Sequence, residues 1–276
     1  MSEAAPVSSL RIALAQFGAG LGEVDANLHR MLGLLERGAA ESADLVCFPE
    51  LCVSGYLLEP SAYDDALLDA VERAEARLAE AAAATGVALV YGAPGRRPDG
   101  LANVVVHVAR DGRRTDYAKT HMDVLERRVF TPGSAFVSAD DGTFGLACCY
   151  DLAFPEPARM LALQGARVLL VPMAWEVRRS FVLEKVAAAR AVENVAYLVC
   201  VNQCGEVGPF RFHGASRIVD PLGDTAVTLA NVEALIVEEL DLGLVDRLRD
   251  RSDPRTYPLL DDRRPGLYAG PDAEGT

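Results

Sequence analysis

The chain has 276 residues, is 50% hydrophobic and carries a formal net charge of −13, so it has material for one large core and little reason to be disordered. That acidity argues against nucleic acid as a partner, because phosphate backbones are bound by clustered positive charge that displaces counterions. The opening MSEAAPVSSL has no basic stretch leading into an apolar run, and no segment reaches the roughly 18 uninterrupted apolar residues of a membrane span, so a cytoplasmic protein without a membrane partner is expected.

Residues 1–9 read as a flexible N-terminus, after which residues 11–17 form a strand and residues 24–40 place Leu28, Met31, Leu32 and Leu35 at helical intervals. Residues 44–48 are a short buried strand. An alanine-rich helix over 66–84 is closed by Gly86 and followed by a strand at 87–91. Residues 104–109 and 114–117 flank Asp111-Gly112, a favoured two-residue turn, and are expected to pair antiparallel. In the second half a strand at 143–148, a helix near 155–164, a strand at 167–171 and a long helix at 180–194 follow one another. Strands at 197–202, 215–219, 225–229 and 234–240 complete the pattern, with a turn at 221–224. From about 242 the chain turns polar and reads as an extended arm, and 269–276 as a flexible tail. No low-complexity linker divides residues 10–268, so one domain is expected: an α/β fold of two facing mixed sheets with helices outside.

Six cysteines, at 47, 52, 148, 149, 200 and 204, lie mostly in apolar strand-like runs, the usage of reduced thiols rather than of a disulfide framework. Cys200 and Cys204 lack a second pair at zinc spacing, so no metal is expected. Glycines 18, 20 and 22 stand where a dinucleotide fingerprint would lie, but Glu23 occupies the position of its third glycine and would set a carboxylate against a pyrophosphate.

Three segments carry chemistry. Leu45-Val46-Cys47-Phe48-Pro49-Glu50 delivers a carboxylate at the end of a buried strand, where an α/β sheet opens onto a ligand cleft and apolar neighbours suit a general base. Only Lys119 and Lys185 among 27 basic residues are lysines, so Lys119, in Tyr117-Ala118-Lys119-Thr120-His121, stands out as a compact cation able to stabilise an oxyanion. The strand ending Cys148-Cys149-Tyr150-Asp151 offers a thiol at its exit, ahead of a proline-started helix. Adjacent strand residues face opposite ways, so one of the two thiols faces a given cleft, and spacing alone does not choose between them. The four histidines form no metal or Cys-His pattern, so the proton acceptor of a nucleophilic thiol would be a buried glutamate.

In that order, Phe48-Pro49-Glu50-Leu51, Tyr117-Ala118-Lys119-Thr120-His121 and Cys149-Tyr150-Asp151-Leu152-Ala153-Phe154-Pro155-Glu156 resemble the three signature segments of the nitrilase superfamily of carbon-nitrogen hydrolases. Arg190-Ala191-Val192-Glu193-Asn194, Asn202-Gln203-Cys204-Gly205, Gly214-Ala215-Ser216-Arg217, Asp220-Pro221-Leu222-Gly223 and Arg263-Arg264-Pro265-Gly266-Leu267-Tyr268 are similar to further family segments, so the likeness spans roughly residues 10–268. It implies a four-layer α-β-β-α sandwich, a catalytic Glu50-Lys119-Cys149 triad with Cys148 pointing into the core, and assembly into homodimers or larger homo-oligomers. Glu126 matches a second family glutamate that helps position the lysine and substrate. Tyr56, Tyr150, Met173 and Trp175 match positions that line the substrate pocket. No cofactor is implied. The Tyr150-Asp151 pair and Phe154-Pro155-Glu156 are similar to the small-molecule amidases, of ω-amidase or carbamoyl-amide type, which cleave a linear amide to acid and ammonia through a cysteine thioester. A nitrilase acting on nitriles, or a catalytically inactive binding protein on the same fold, are the alternatives.

Overall fold

The computed structural model describes residues 8–256 and 258–268; the tail at 269–276 and most of the expected flexible N-terminus lie outside the described residues. The first half of the chain runs β1 (Ser9–Gln16), α1 (Val24–Ala40), β2 (Leu45–Cys47), α2 (Asp65–Thr85), β3 (Ala88–Arg97), β4 (Gly100–Val108) and β5 (Arg114–Ala118). The second runs β6 (Val137–Ala139), β7 (Phe144–Leu146), α3 (Pro155–Leu163), β8 (Val168–Met173), α4 (Ser180–Asn194), β9 (Tyr197–Asn202), β10 (Cys204–Val207), β11 (Phe210–His213), β12 (Arg217–Val219), β13 (Thr225–Thr228), β14 (Ala234–Asp241) and α5 (Leu242–Arg249).

One six-stranded sheet has the order β14-β1-β2-β3-β4-β5 and the other β13-β12-β9-β8-β7-β6. Each contains a parallel trio, β1-β2-β3 in one and β7-β8-β9 in the other, flanked by antiparallel strands. Strand alternation sorts the side chains into layers. Ile12, Leu14, Leu45, Cys47, Ala88 and Val90 face the second sheet and pack with Val168–Met173 and β9. Their neighbours Ala13, Ala15, Val46, Leu89 and Tyr91 face the other way, onto Met31, Leu34, Leu35, Val71 and Leu78 of α1 and α2. Helices α3 and α4 cover the outer face of the second sheet. The result is the α-β-β-α sandwich.

Local chemistry sets the element ends. The Asp64 carboxylate accepts from Leu67 N and caps α2, and Gly86 ends it in the left-handed region at φ 67°. Pro155 starts α3 at a position where its missing N–H costs nothing.

Four features depart from the sequence expectation. Strand β3 runs on through Pro94 to Arg97, because β2 pairs only as far as Val90 and leaves the far edge of β3 free of ladder bonds, where proline is tolerated. The short strand β6 pairs with β7 where no strand was read. A β10-β11 hairpin turns at Gly208-Pro209. Finally, the supposed extended arm opens with a helix: α5 buries Leu242, Val245 and Leu248 and is capped by Asp241 on Leu244 N, while its polar residues made the segment look solvated. Among the described residues no helix is long and apolar enough to cross a membrane.

Candidate active site

The ends of β2, β5, β7 and β8 converge at one edge of the sandwich. After β2 the chain turns through Pro49 and Glu50, held by Phe48 N to Val90 O at 2.7 Å and Gly92 N to Pro49 O at 3.1 Å. A Cβ on Gly92 would stand 2.2 Å from Leu51 N and 2.6 Å from Glu50 Cα, so only glycine lets this turn lie against β3. Glu50 is fully buried, and its backbone is fixed from the second sheet: its N–H donates to Met173 O at 3.3 Å, and Gln203 Nε2 donates to its carbonyl at 3.0 Å.

Lys119 follows β5 and is as deeply buried as Glu50. Its ammonium donates to Glu50 Oε1 at 2.7 Å and to Glu126 Oε1 at 2.5 Å. Burial alone would favour loss of the lysine proton, but the charges of Glu126 and Glu50 outweigh it and hold the ammonium well above the ordinary lysine range. Burial raises the Glu126 carboxyl, against the pull of Lys119, and Glu50 adds to the rise. Glu126 lies in a 3₁₀ turn (Glu126–Arg128), where Asp123 Oδ1 accepts from Leu125 N and Glu126 N while Asp123 N donates back to Glu126 Oε2. On β4, Asn103 Nδ2 donates to Glu50 Oε1 at 2.7 Å and reaches Glu126 Oε1 at 3.5 Å.

Cys149 begins a 3₁₀ turn (Cys149–Ala153) with φ 42°, a left-handed conformation that costs a non-glycine residue on the order of 1–2 kcal/mol. Asp151 holds this turn against the Lys119 segment. Its buried carboxylate accepts from Cys148 N at 2.9 Å, Tyr117 Oη at 2.7 Å, Thr120 Oγ1 at 3.1 Å and His121 N at 3.0 Å. Arg190 of α4 closes the other end, donating to Leu152 O and Ala153 O. Burial and then the charge of Glu50 push the Cys149 thiol well above its usual range, against Lys119 and the Ala174 amide, which lower it.

Cys149 opens into a cleft that also reaches Lys119 and Glu126. Tyr56, Tyr150, Trp175 and Phe210 form its walls. Tyr56 stands edge-on to Phe210 at 5.3 Å. Trp175 is clamped by Asn202, which accepts from Trp175 N at 2.7 Å and donates to Trp175 O at 3.1 Å. At the mouth, Arg178 donates to Glu176 at 2.5 and 2.8 Å, and Arg179 donates to Asp123 at 3.2 Å.

Glu50, Lys119, Glu126 and Cys149 are thus brought together, with Tyr56, Tyr150 and Trp175 around them. Met173 is not. Its side chain is fully buried in the core, and it meets the site only through its carbonyl, which accepts from Glu50 N. Cys148 lies in the core, as the resemblance implies, but it is not remote from the site. It is fully buried, yet its thiol donates to Glu50 Oε1 at 3.3 Å. The alternation that would have separated the two thiols fails because β7 ends at Leu146 and Cys149 leaves extended geometry. Sequence reasoning missed Asn103, whose signal was a lone amide inside the apolar run Leu101-Ala102-Asn103-Val104-Val105-Val106. It also missed Phe210, since the hairpin that presents it was not read.

Residues 11–250 match the carbon-nitrogen hydrolase family. A Pseudomonas protegens protein described as "Hydrolase in pqqF 5'region" is 36% identical over 269 residues, 95% of this chain and 92% of that one. An (R)-stereoselective amidase of a Pseudomonas species is 31% identical over 92% of each chain. Among solved structures, a variant of the amidase from Nesterenkonia sp. AN1, carrying the acetamide moiety of fluoroacetamide on its active-site cysteine, superposes with a TM-score of 0.82 at 29% identity, covering 96% of this chain and 98% of that one. With this match along nearly its whole length and the carboxylate, ammonium and thiol gathered at one cleft, the chain belongs to the carbon-nitrogen hydrolase family of the nitrilase superfamily and is a hydrolase acting on amides.

Proposed function

We propose that the protein cleaves small, linear, uncharged amides to acid and ammonia by way of a thioester on Cys149. The observation that carries this reading is the water-excluded ammonium of Lys119, held between two carboxylates on the floor of the cleft into which Cys149 opens. Glu50 takes the thiol proton as sulfur attacks the amide carbon. The developing oxyanion is received by Lys119, whose third N–H is free of the two glutamates, and by the amide of Tyr150, a first-turn N–H without an acceptor inside its own turn. Glu50 then protonates the departing nitrogen, and the same carboxylate activates the water that hydrolyses the thioester. Glu126 keeps Lys119 charged and in place. Because the resting thiol is held protonated, proton removal accompanies attack rather than preceding it.

Among the relatives are a 2-oxoglutaramate amidase from Bacillus subtilis and a chloroplastic ω-amidase from Arabidopsis thaliana. An ω-amidase substrate brings a carboxylate that wants an arginine. Here Arg178 is already paired with Glu176 and Arg179 with Asp123, so each cation at the mouth has its anion, and aromatic walls take the acyl chain. This supports an uncharged acyl group over the ω-amidase type. The free state of all six cysteines supports a reducing, cytoplasmic setting. The exposed Met160 and Leu163 on α3 and Phe181 and Val192 on α4 support self-association, to be read by light scattering.

Ammonia release from butyramide, compared with the monoamide of succinic acid, tests the reading. Butyramide should win by roughly tenfold or more in kcat/KM, with Cys149→Ala releasing none and the intact protein gaining the acyl mass on its cysteine peptide. Ammonia release by Cys149→Ala would end the thioester scheme, and preference for the acidic monoamide would end the uncharged-substrate assignment.

A further inference from the structure

The two oxygens of Glu50 are treated unequally. Oε1 accepts from Asn103 Nδ2 at 2.7 Å, Lys119 Nζ at 2.7 Å and Cys148 Sγ at 3.3 Å. Oε2 is buried and has no hydrogen-bond partner among the described residues. Three donors saturate one carboxylate oxygen, whereas a buried oxygen with none is costly and calls for an explanation. The orientation of Asn103 follows from its surroundings: both glutamates are acceptors, so the amide nitrogen points at them and Oδ1 is left to face Cys148 Sγ at 3.9 Å.

We propose that Cys148 and Asn103 are positioning residues of the reaction: with Lys119 they occupy Oε1 of Glu50, so that Oε2 is the atom that takes the proton of Cys149. In the acylation step the Cys149 S–H bond breaks, the proton goes to Oε2, and the sulfur electron pair forms the bond to the amide carbon. When the tetrahedral intermediate collapses, the same O–H delivers the proton to the nitrogen as the C–N bond breaks. Cys148 suits this part because it stays a donor: burial and the Glu50 charge keep its thiol protonated. It is fully buried and lines no part of the cleft, so it is not the nucleophile, although of the two thiols it is the one in hydrogen-bonding contact with Glu50.

This inference rests on Glu50 being the base, and the test separates the two. Glu50→Gln is measured first, and kcat like that of the wild type would remove the base itself. With that variant inactive, Cys148→Ala, Cys148→Ser and Asn103→Leu are assayed for kcat, KM and pH dependence, alongside melting temperature. Cys148→Ala should lower kcat roughly tenfold with KM changed less than about twofold, the scale of one hydrogen bond to a charged group. Its acid limb should move to higher pH, because a carboxylate that loses a donor holds a proton more readily. Cys148→Ser, which keeps a donor, should recover most of the rate, and Asn103→Leu should be worse than either. Wild-type kcat and acid limb in Cys148→Ala overturn the proposal. So does equal loss in the alanine and serine variants, or a lowered melting temperature with an unmoved acid limb, since each of these marks packing alone. Iodoacetamide labelling needs no turnover: a label at position 148 in Cys149→Ala, as fast as the wild type is labelled, would make Cys148 the reactive thiol and also overturn it.

Discussion

Two depressions on the molecule are built from the same kinds of charged groups. The larger is bordered by Glu72, Glu75, Arg96 and Arg114. In it Arg96 meets Asp65 at 3.1 Å, Asp69 at 2.8 Å and Glu72 at 2.6 Å. The smaller holds Lys119 between Glu50 and Glu126 at nearly the same distances. What differs is water. The side chains of Asp65, Asp69 and Glu72 are 55–96% exposed, whereas those of Lys119, Glu50 and Glu126 are at most 1% exposed. Charges in the first group are screened and interchangeable, while those in the second are desolvated, and the two carboxylates keep the ammonium of Lys119 protonated. Neither cleft size nor the number of ion pairs marks the site; burial of the pairs does.

The strongest way to break that comparison is Lys119→Met. With the ammonium gone, two carboxylates face each other without a counter-charge, and breaking a buried pair costs about 3–5 kcal/mol. Urea unfolding should show a loss of that order together with no measurable ammonia release. A variant as stable as the wild type would mean that the pairs are far better hydrated than their burial implies.

Glu50→Gln divides electrostatics from proton transfer. Turnover should fall by roughly 10²–10⁴, the span expected for loss of a general base, while the fold survives because the amide still occupies the cavity. Alkylation of Cys149 should go the other way. The charge of Glu50 is, after burial, the main cause holding this thiol protonated, so removing it leaves Lys119 to favour the thiolate. Iodoacetamide should therefore label the variant faster than the wild type at pH 7.5. In the wild type, labelling should climb with pH through 9 without a plateau, since the folded thiol titrates above the free-cysteine range near 8.5. Slower labelling of the variant would show Glu50 acting as a base toward the alkylating agent as well, contrary to the electrostatic account.

How much of this was legible beforehand follows the physics of each element. Helix α4 and strand β9 were read from sequence to the residue, because apolar periodicity and a buried run have little competition there. Glu50 and the Cys148-Cys149 pair stand out in the sequence because each follows an apolar strand, and Lys119 because lysine is scarce, whereas the choice of Cys149 over Cys148 comes from the family resemblance. The second group of site residues was harder for a common reason. Asn103, Phe210 and the thiol of Cys148 act across elements far apart in sequence, and local spacing carries no information about such approaches. Met173, matched through the family resemblance, is the last residue of β8, and its side chain is buried in the core while only its carbonyl reaches Glu50. The helix α5 was concealed because its three buried residues are spread among charges on the other face.

The smallest effect is the sharpest control. Arg96→Ala removes three ion pairs at once from the larger depression. The cation is open to solvent, its partners Asp65, Asp69 and Glu72 can all be rehydrated, and none of these groups borders the cleft of Cys149. Surface pairs of this kind contribute little because water and salt replace them readily. The variant should match the wild type in melting temperature and in kcat/KM for butyramide within the error of each measurement, at low and at high salt alike. A clear fall in activity would show that the larger depression communicates with the buried charges, and the contrast between screened and desolvated pairs would then no longer separate the working part of this surface from the rest.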